Sequence, residues 1–453
     1  MEFAPAPPLE TPASWQWPAR VDGLDAQRIA DVGLILTLER APPAVWQAFQ
    51  TKSLQRLLAF VVQASPAWRD RLRRNGPVSR QTQLPILERA EFRRLVESHG
   101  ALPLPAAHGD ALPHSTSGST GMPVRFFVSQ HSLRVVRNHF HAGHPRHGRD
   151  LMRTRAALGS RTDPHPGLEH VFARGNPWLG ESHLYTRRNT DFSMAEHAQW
   201  LARLAPAWLA VNPTVLSGML EAYEAGDATP PSGLEQVITF GGTIEARLRQ
   251  RTRQVLGASI RDRYSCEEIG PVAWQCPNDR GDDPPYHVAV TNTIVETVDD
   301  AGQALPQGET GRVLVTGLHH WASPAIRYDL GDVAALHPRC PACGAGLPTL
   351  TQLLGRRRGL LRTPSGRGLF VRLTASDWLD VAPVREFRLV QQAHDRIRVE
   401  LVLAMPLSDA MREAVAAMLS QRVSPEFSWE IVALERIAWP PGEKRQDIVC
   451  EFG

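Results

Sequence analysis

A run of hydroxyl and glycine residues, from Ser115 to Pro123, is the first segment of this chain that could do chemistry. The glycines allow tight bends, and backbone N–H and side-chain O–H groups can then point toward one anion, which binds phosphate with little fixed charge. The run lacks the Gly-Lys-Ser/Thr ending of a Walker A loop. By itself it is equally typical of a polar surface turn. The residues that would contact phosphate are Thr116, Ser117, Gly118, Ser119, Thr120 and Gly121.

A second candidate is the cysteine pair in Cys340-Pro341-Ala342-Cys343-Gly344. Two thiols separated by two residues, with a glycine that closes the turn, form the knuckle of many zinc sites. A structural Zn²⁺ takes four ligands, so two more must come from elsewhere in the chain. The alternative is a pair of reduced thiols without metal. The chain has five cysteines, an odd number that argues against a disulfide framework.

Lysine is a third signal, because Lys52 and Lys444 are the two lysines among 50 basic residues. Where arginine supplies nearly every positive charge, a retained lysine indicates a need for a compact, mobile ammonium. Lys444 follows the turn Pro440-Pro441-Gly442-Glu443, where a long side chain can swing into a cleft. We interpret Lys52 as a chance remnant.

The elements around these segments predict an α/β fold. Val237 to Phe240 is a β-branched and aromatic run that stops at Gly241-Gly242, and residues 245–256 have helical character. A strand, a glycine turn and a helix form an α/β unit. Residues 287–298 and 311–318 alternate as two strands that pair with each other.

The length of 453 residues exceeds one ordinary hydrophobic core, so at least two domains are expected. We predict a large α/β domain over residues 1–355, mainly helical over 1–100, and a small mobile α+β domain over 356–453. Its elements include a helix near 408–421. The sequence changes character after Gly355, where an arginine cluster precedes alternating strands.

Charge and hydropathy exclude several classes of protein. The net charge of +3 is too small to indicate a nucleic-acid or membrane partner. No apolar run approaches the roughly 18 residues that a membrane span needs. The first residues have neither the basic nor the apolar region of a signal peptide. We therefore expect a cytoplasmic protein, and leave a homodimer open.

Six segments, in order along the chain, resemble the motifs of the adenylate-forming superfamily, which contains acyl-CoA synthetases, adenylation domains and luciferases. They are Thr116 to Pro123 for the phosphate loop, Gly241-Gly242-Thr243 for the adenine-side turn, Tyr264-Ser265-Cys266-Glu267-Glu268 for the Tyr-Gly-x-Thr/Ser-Glu motif, Tyr328-Asp329-Leu330-Gly331-Asp332 for the Tyr-Arg-Thr-Gly-Asp motif, Gly355-Arg356 for the hinge and Gly442-Glu443-Lys444 for the carboxy-terminal lysine. The ordered set is far more specific than any one member. Within the superfamily the chain resembles the phenylacetate-CoA ligase branch most.

The resemblance implies a role for each motif residue. Glu268 would hold Mg²⁺ through its oxygens, and Asp332 would accept hydrogen bonds from the ribose hydroxyls of ATP. Tyr264 would pack on adenine, and Arg356 would help hold ribose or phosphate. Lys444 would lie between the substrate carboxylate and the α-phosphate, where attack creates negative charge.

The same branch sometimes has a cysteine and then a histidine after its glutamate motif, and this resemblance supplies the missing zinc ligands. The expected set is Cys276, His287, Cys340 and Cys343. Cys266 and His337 are reserve ligands. Four protein ligands leave no position for water, so such a zinc would be structural.

The resemblance implies an ATP-dependent ligase that converts a carboxylic acid, aromatic in this branch, to acyl-AMP and transfers the acyl group to a thiol, most simply coenzyme A. The chain departs from the branch at Arg357-Arg358-Gly359, where acidic hinge residues are usual. That departure favours an alternative, a ligase with an amine or hydroxyl acceptor. A second alternative is a non-catalytic zinc-containing binding protein, against which Glu268, Asp332 and Lys444 argue.

Overall fold

The computed structural model describes most of the chain. The described residues are 23–73, 84–115, 124–150, 153–159, 184–242, 244–278, 281, 283–356, 360–365, 368–371, 373, 377–378, 381–438 and 448–451.

Four helices make up most of the described residues before position 100. They are α1 (Gly23–Arg40), α2 (Pro43–Ala64), α3 (Pro66–Arg73) and α4 (Arg89–His99). Helix α2 ends at Ala64, the backbone is extended at Ser65, and a new helix begins at Pro66. Proline is tolerated in the first turn of a helix and not in its interior, which explains the break.

The middle of the chain alternates strands and helices and then continues as strands. The elements are β1 (Ala111–Ser115), β2 (Arg125–Ser129), α5 (Gln130–Arg146), β3 (Arg155–Gly159), β4 (Leu184–Arg188), α6 (Met194–Leu204), β5 (Trp208–Val211), α7 (Pro213–Glu224), β6 (Gln236–Phe240), α8 (Ala246–Leu256), β7 (Ser259–Cys266), β8 (Gly270–Gln275), β9 (Tyr286–Val288), β10 (Thr293–Val298), β11 (Thr310–Gly317), β12 (Tyr328–His337) and β13 (Thr349–Arg356).

The strand predicted over residues 287–298 is two strands, β9 and β10. A turn separates them, in which the Asn292 backbone N–H donates to the Ala289 carbonyl at 2.8 Å. The Asn292 side-chain amide also donates to the carbonyls of Ile269 and Pro271. This buried amide fixes the turn, which hydrophobic alternation alone does not reveal. The predicted pairing is found, because β10 runs antiparallel to β11.

Eleven strands form one mixed sheet, in the order β10-β11-β12-β13-β9-β8-β7-β6-β5-β3-β4. Strands β4, β3, β5, β6 and β7 are parallel. From β7 through β8, β9, β13, β12 and β11 to β10, every neighbour is antiparallel. Strand β7 therefore belongs to both halves. Ligands of open α/β sheets bind beyond the carboxyl ends of the parallel strands, and β6 and β7 end at Phe240 and Cys266.

Each half of the sheet has its own hydrophobic core. One core includes Leu209, Leu220 and Val237 and lies between the parallel strands and helices α6, α7 and α8. Another includes Leu57, Phe92 and Tyr328 and joins the amino-terminal helices to the antiparallel strands. These packed interiors hold the ends of β6, β7 and β12 in fixed relative positions.

A separate sheet with its own core follows β13. Its elements and the short strands before it are β14 (Leu360–Arg362), β15 (Gly368–Phe370), β16 (Val384–Gln391), β17 (Arg396–Leu403), α9 (Asp409–Arg422), β18 (Ser428–Ala433) and β19 (Ile448–Cys450). The sheet order is β18-β17-β16-β19. Trp378, Leu389 and Leu419 are among the buried residues of this core. The predicted α/β class is confirmed. No helix in the described part of the chain is both long and apolar enough to cross a membrane.

Candidate active site

Strands β6 and β7 bring two of the sequence-predicted motifs together. Phe240 and Arg263 are register partners in this parallel pair, so the glycine turn after β6 begins beside Tyr264. Gly241 has a φ of 73°, in the left-handed region that side chains with a Cβ rarely adopt. The turn therefore requires glycine at this position. Thr243, the third residue of that predicted motif, lies outside the described residues.

Tyr264 and Asp332, which are far apart in sequence, are in direct contact. The Tyr264 hydroxyl donates a hydrogen bond to Asp332 Oδ2 at 2.7 Å. In the antiparallel pair β12–β13, the backbone of Asp332 is the register partner of Arg356. Three of the residues with predicted nucleotide roles thus meet at one end of the large sheet.

The backbone before Asp332 is shaped by a buried carboxylate. Asp329 Oδ1 accepts from the Gly331 backbone N–H at 2.7 Å, and Asp329 Oδ2 accepts from Arg312 Nη2 at 2.5 Å. Gly331 has a φ of 74°, and the register of β12 shifts between Val333 and Ala335 on the β13 side. Bulges of this kind redirect a side chain next to functional sites. Here the bulge lies beside Asp332.

Glu268 lies in a buried polar cluster next to these residues and is only 4% exposed. Its Oε1 accepts from the Tyr328 hydroxyl at 3.0 Å and from Arg89 Nη1 at 3.4 Å. Burial, with a further contribution from the Glu268 charge, raises the pKa of Tyr328 well above its usual range. Tyr328 therefore keeps its proton and acts as a donor to the carboxylate.

The predicted phosphate loop connects β1 to β2. Residues Thr116 to Gly121 lie outside the described residues, but the strands that carry the loop are antiparallel partners, with Ser115 opposite Arg125. His114 Nε2 lies 3.0 Å from Glu267 Oε2. The base of the loop is therefore next to the segment that holds Glu268. Lys444 also lies outside the described residues.

The predicted zinc ligands Cys276, His287, Cys340 and Cys343 are brought together from three places in the sheet. Cys276 follows β8, His287 lies in β9 and the two remaining cysteines lie in the connection from β12 to β13. Their ligand atoms all lie within 4.8 Å of one another. His287 Nε2 is 3.5 Å from Cys343 Sγ. The reserve ligands are elsewhere, since His337 contacts Thr351 Oγ1 and Cys266 belongs to the Glu268 region.

The donor chemistry of this Cys/His cluster suits a tetrahedral zinc ion. With Zn–S bonds of about 2.3 Å and Zn–N bonds of about 2.0 Å, donors of a tetrahedral site lie about 3.3–3.8 Å apart. Burial, with the nearby Arg146 charge, lowers the pKa of His287 to about 4, so the imidazole is neutral and able to ligate. The knuckle is closed by a bond from the Gly344 backbone N–H to the Cys340 carbonyl at 2.9 Å. Gly344 has a φ of 73°, which explains the glycine.

Sequence reasoning missed three residues of this region. Tyr328 was part of a recognised motif, yet its contact with Glu268 depends on how two strands face each other. Arg89 and His114 come from a helix and a strand far earlier in the chain, and no motif marks them. Hydrogen bonds over 179 and 153 residues of sequence separation give no local signal.

Comparisons with known proteins find similarity to AMP-binding enzymes. Residues 112–321 match the model of the AMP-binding enzyme family. The chain is 26% identical over 341 residues to a phenylacetate-coenzyme A ligase from Thermus thermophilus, covering 72% of this chain and 73% of the relative. These matches confirm the resemblance to adenylate-forming, AMP-binding enzymes, and the relative named here is a coenzyme A ligase.

Solved structures share the fold. A 2-hydroxyisobutyryl-CoA ligase in the postadenylation state, in complex with 2-HIB-AMP, matches with a TM-score of 0.72 at 16% identity, over 97% of this chain and 96% of that chain. An anthranilate CoA ligase in complex with anthranoyl-AMP matches with a TM-score of 0.52 at 16% identity, over 74% and 66%. An amide bond synthetase from Marinactinospora thermotolerans matches with a TM-score of 0.53 at 16% identity, over 74% and 67%.

Proposed function

We propose that this enzyme activates an aromatic carboxylic acid with ATP and Mg²⁺ and transfers the acyl group to coenzyme A. In the first step a carboxylate oxygen attacks the α-phosphorus, an acyl-AMP forms and pyrophosphate leaves. In the second step the thiol sulfur attacks the acyl carbon, a thioester forms and AMP leaves. The observation that carries the proposal is the 2.7 Å contact between Tyr264 and Asp332 beside the Gly241 turn.

The nucleotide roles follow from the chemistry of these groups. A carboxylate accepts hydrogen bonds from vicinal hydroxyls, so Asp332 would bind ribose, and its bond from Tyr264 sets the carboxylate orientation in advance. The Tyr264 ring offers a flat face for adenine. The glycine turn at Gly241 leaves room for the base to approach the backbone. The hydroxyl-rich loop between β1 and β2 would bind the phosphates through N–H and O–H groups.

Glu268 is the proposed Mg²⁺ ligand. Hard divalent cations take oxygen ligands, and Mg²⁺ commonly uses one carboxylate together with substrate phosphates. Both contacts of Glu268 with Tyr328 and Arg89 use Oε1, so Oε2 is the oxygen that can face the ion. When bound, the ion would offset the charge of the triphosphate.

Lys444 is proposed to act in the first step. The reacting carboxylate and the α-phosphate are both anionic, and an ammonium between them would lower their repulsion and stabilise the charge that develops. A structural zinc held by Cys276, His287, Cys340 and Cys343 would tie β8, β9 and the β12–β13 connection together. The cysteine knuckle directly follows β12, the strand that carries Asp332.

The proposed acid substrate and acyl acceptor are inferred from similarity to known proteins. The relative from Thermus thermophilus is a phenylacetate-coenzyme A ligase, which supports an aromatic acid and coenzyme A. The same fold also occurs in an amide bond synthetase, and Arg357-Arg358-Gly359 departs from the usual hinge. An amine acceptor is therefore the second candidate.

The test is acid-dependent exchange of pyrophosphate into ATP over a panel of aryl and alkyl acids. Exchange with at least one aromatic acid is expected, and product analysis with coenzyme A and with simple amines then identifies the acceptor. Exchange with no acid, from folded and zinc-loaded protein, would overturn the proposed activation step. An amide and no thioester would leave activation intact and replace the acceptor.

A further inference from the structure

Arg263, on β7 directly before Tyr264, is held between two phenylalanine rings. Its guanidinium carbon lies 4.7 Å from the ring centre of Phe140 on α5 and 5.1 Å from that of Phe240 on β6. No carboxylate in the described part of the chain forms an ion pair with this guanidinium, and its Nε–H has no hydrogen-bond acceptor there. Planar cations stack well on aromatic faces, but stacking does not neutralise their charge.

The nearest acidic residue in sequence, Asp262, is engaged elsewhere. Asp262 Oδ1 accepts from Thr239 Oγ1 at 2.6 Å, and Asp262 Oδ2 accepts from the Tyr286 hydroxyl at 2.9 Å. Adjacent residues of a strand point to opposite faces of the sheet. Asp262 therefore moderates the charge of Arg263 through the sheet without contacting it.

The side of the sheet that faces α5 is positively charged around Arg263. Arg149 is buried and makes its contacts with neutral acceptors, Gln236 Oε1 at 2.9 Å and the Gly143 carbonyl at 3.1 Å. Burial, with repulsion from Arg263 and other arginines, lowers the pKa of Arg149 to about 9, and burial lowers that of Arg263 to about 10. Both stay charged at neutral pH. Arg149 is buried and Arg263 is half-buried between aromatic rings, and a guanidinium kept from water without a counter-ion is costly, so the arrangement favours an anionic ligand.

A second donor lies on the same face. Trp274 on β8 is the register partner of Arg263, and directly opposed residues of an antiparallel pair share a face. The Trp274 indole N–H is buried and has no acceptor among the described residues. The Phe140 ring contacts Trp274 edge-on, with ring centres 6.1 Å apart. The surroundings of Arg263 thus combine N–H donors with aromatic walls.

This position is next to the proposed nucleotide site. Phe240 is followed at once by the Gly241 turn, and Arg263 is followed by Tyr264, the partner of Asp332. The reacting carboxylate must meet the α-phosphate, so the rest of the acid has to extend away from the nucleotide. Arg263 lies on the face of β7 opposite to Tyr264, so an acid that reaches it has to extend past the carboxyl end of the sheet.

We propose that the acid substrate is a dicarboxylic acid with an apolar, aromatic spacer, whose second carboxylate is bound by Arg263 between Phe140 and Phe240. The inference rests on the proposed function and names its substrate class. Arg263 is then a specificity-determining residue. A fork of guanidinium N–H groups matches a carboxylate, and Trp274 offers a further donor on the same face. A neutral group in place of that carboxylate would leave the arginine desolvated and unpaired.

The experiment compares matched acids in the pyrophosphate-exchange assay with the full-length, metal-loaded enzyme. The pairs are benzene-1,4-dicarboxylate with its monomethyl ester, benzene-1,3-dicarboxylate with its monomethyl ester, and hexanedioate with its monomethyl ester. We expect kcat/KM for the best diacid to exceed that of its monoester by about 100-fold or more. The Arg263→Met variant should reduce this ratio to within about threefold of unity, mostly through loss of activity on the diacid.

Two further variants make the result specific. Arg263→Lys keeps the cation but loses the planar fork and should retain an intermediate preference. Arg251→Met is the matched control, because Arg251 lies on α8 and pairs with Glu224 at 2.7 Å, remote from this face. It should leave the diacid-to-monoester ratio unchanged.

The outcomes separate this inference from the proposed function. Exchange with no acid overturns the function itself. Exchange in which monoesters and simple monocarboxylates equal the diacids, with the same ratio in Arg263→Met, overturns the dicarboxylate assignment and leaves the function standing. The preference of the parent enzyme is measured without any variant, so the test holds even where Arg263→Met does not fold.

Discussion

The Cys276/His287/Cys340/Cys343 cluster and the Tyr264/Asp332/Glu268 region are both assembled from distant segments, yet they are built from opposite kinds of group. In the Cys/His cluster, soft sulfur and imidazole donors converge within 4.8 Å, and four such donors complete a tetrahedral zinc site. In the Tyr264/Asp332/Glu268 region, hydroxyls donate to carboxylates at 2.7 and 3.0 Å beside a glycine turn.

The difference indicates that the Cys/His cluster stabilises the fold and that the Tyr264/Asp332/Glu268 region binds a substrate. Closed thiolate sites contribute folding free energy when zinc is bound. Pre-oriented carboxylates and hydroxyls instead lower the reorganisation needed when a polar substrate binds. Substitutions in the Cys/His cluster should therefore act on stability, and those near Asp332 should act on nucleotide binding and rate.

The largest effect is expected from Cys340→Ser. A hydroxyl is a poor ligand for zinc, so the variant should lose the ion, and structural zinc contributes about 10–16 kcal/mol in small zinc domains. We expect the melting temperature to fall by roughly 5 °C or more. Elemental analysis and thermal unfolding measure both quantities.

Cys450→Ser is the matched control for this prediction, because Cys450 lies on β19, outside the cluster. It should keep zinc and melting temperature. Parent protein that contains no zinc after purification with the metal present would remove the structural role assigned to the cluster.

The next effect is expected from Lys444→Ala. Loss of one charge-stabilising group from a reacting centre costs on the order of 10²-fold or more in rate. Acyl-AMP formation should fall by that factor, and transfer from supplied acyl-AMP should fall much less. Lys444→Arg should restore only part of the rate, since a planar fork does not replace a point charge.

Lys52→Ala provides the comparison for this variant, because Lys52 is the other lysine and is exposed on α2. Its rate should equal that of the parent. Adenylate formation at the parent rate by Lys444→Ala would exclude the lysine from the first step.

A smaller effect is expected from Asp332→Ala. Hydrogen bonds to a charged group contribute about 1.5–3 kcal/mol, so nucleotide affinity should fall by about 10- to 100-fold while zinc content and melting temperature change little. Calorimetric titration with ATP measures the affinity. Asp227→Ala, in an exposed turn after α7, is the control. Unchanged ATP affinity in Asp332→Ala would contradict the ribose assignment.

The smallest effect is expected from Tyr264→Phe, which keeps the ring and removes the hydroxyl. The 2.7 Å bond to Asp332 is lost, and net contributions of such bonds are about 0.5–1.5 kcal/mol. KM for ATP should rise a few-fold, about tenfold at most. A loss larger than that of Asp332→Ala would mean that Tyr264 acts through more than its bond to Asp332.

The sequence by itself determined the class of enzyme and the residues of several motifs. A left-handed backbone conformation can be recognised in the sequence as a glycine, as at Gly241 and Gly344, because few other residues adopt that conformation. A CxxC knuckle can also be recognised from a few consecutive residues. The positions of α8, α9 and β6 followed from local residue patterns. The split at β9–β10 was missed because a buried Asn292 amide decides it.

Only the tertiary structure decided which groups meet. Glu268 contacts Tyr328, 60 residues away in sequence, and Arg89, 179 residues away. Glu267 contacts His114 across 153 residues. That no described carboxylate pairs with Arg263 also depends on the fold, because Thr239 and Tyr286 hold Asp262 on the opposite face of the strand. Local sequence fixes the direction of a side chain relative to its own strand. The partner it finds depends on the register and packing of strands that are remote in the chain.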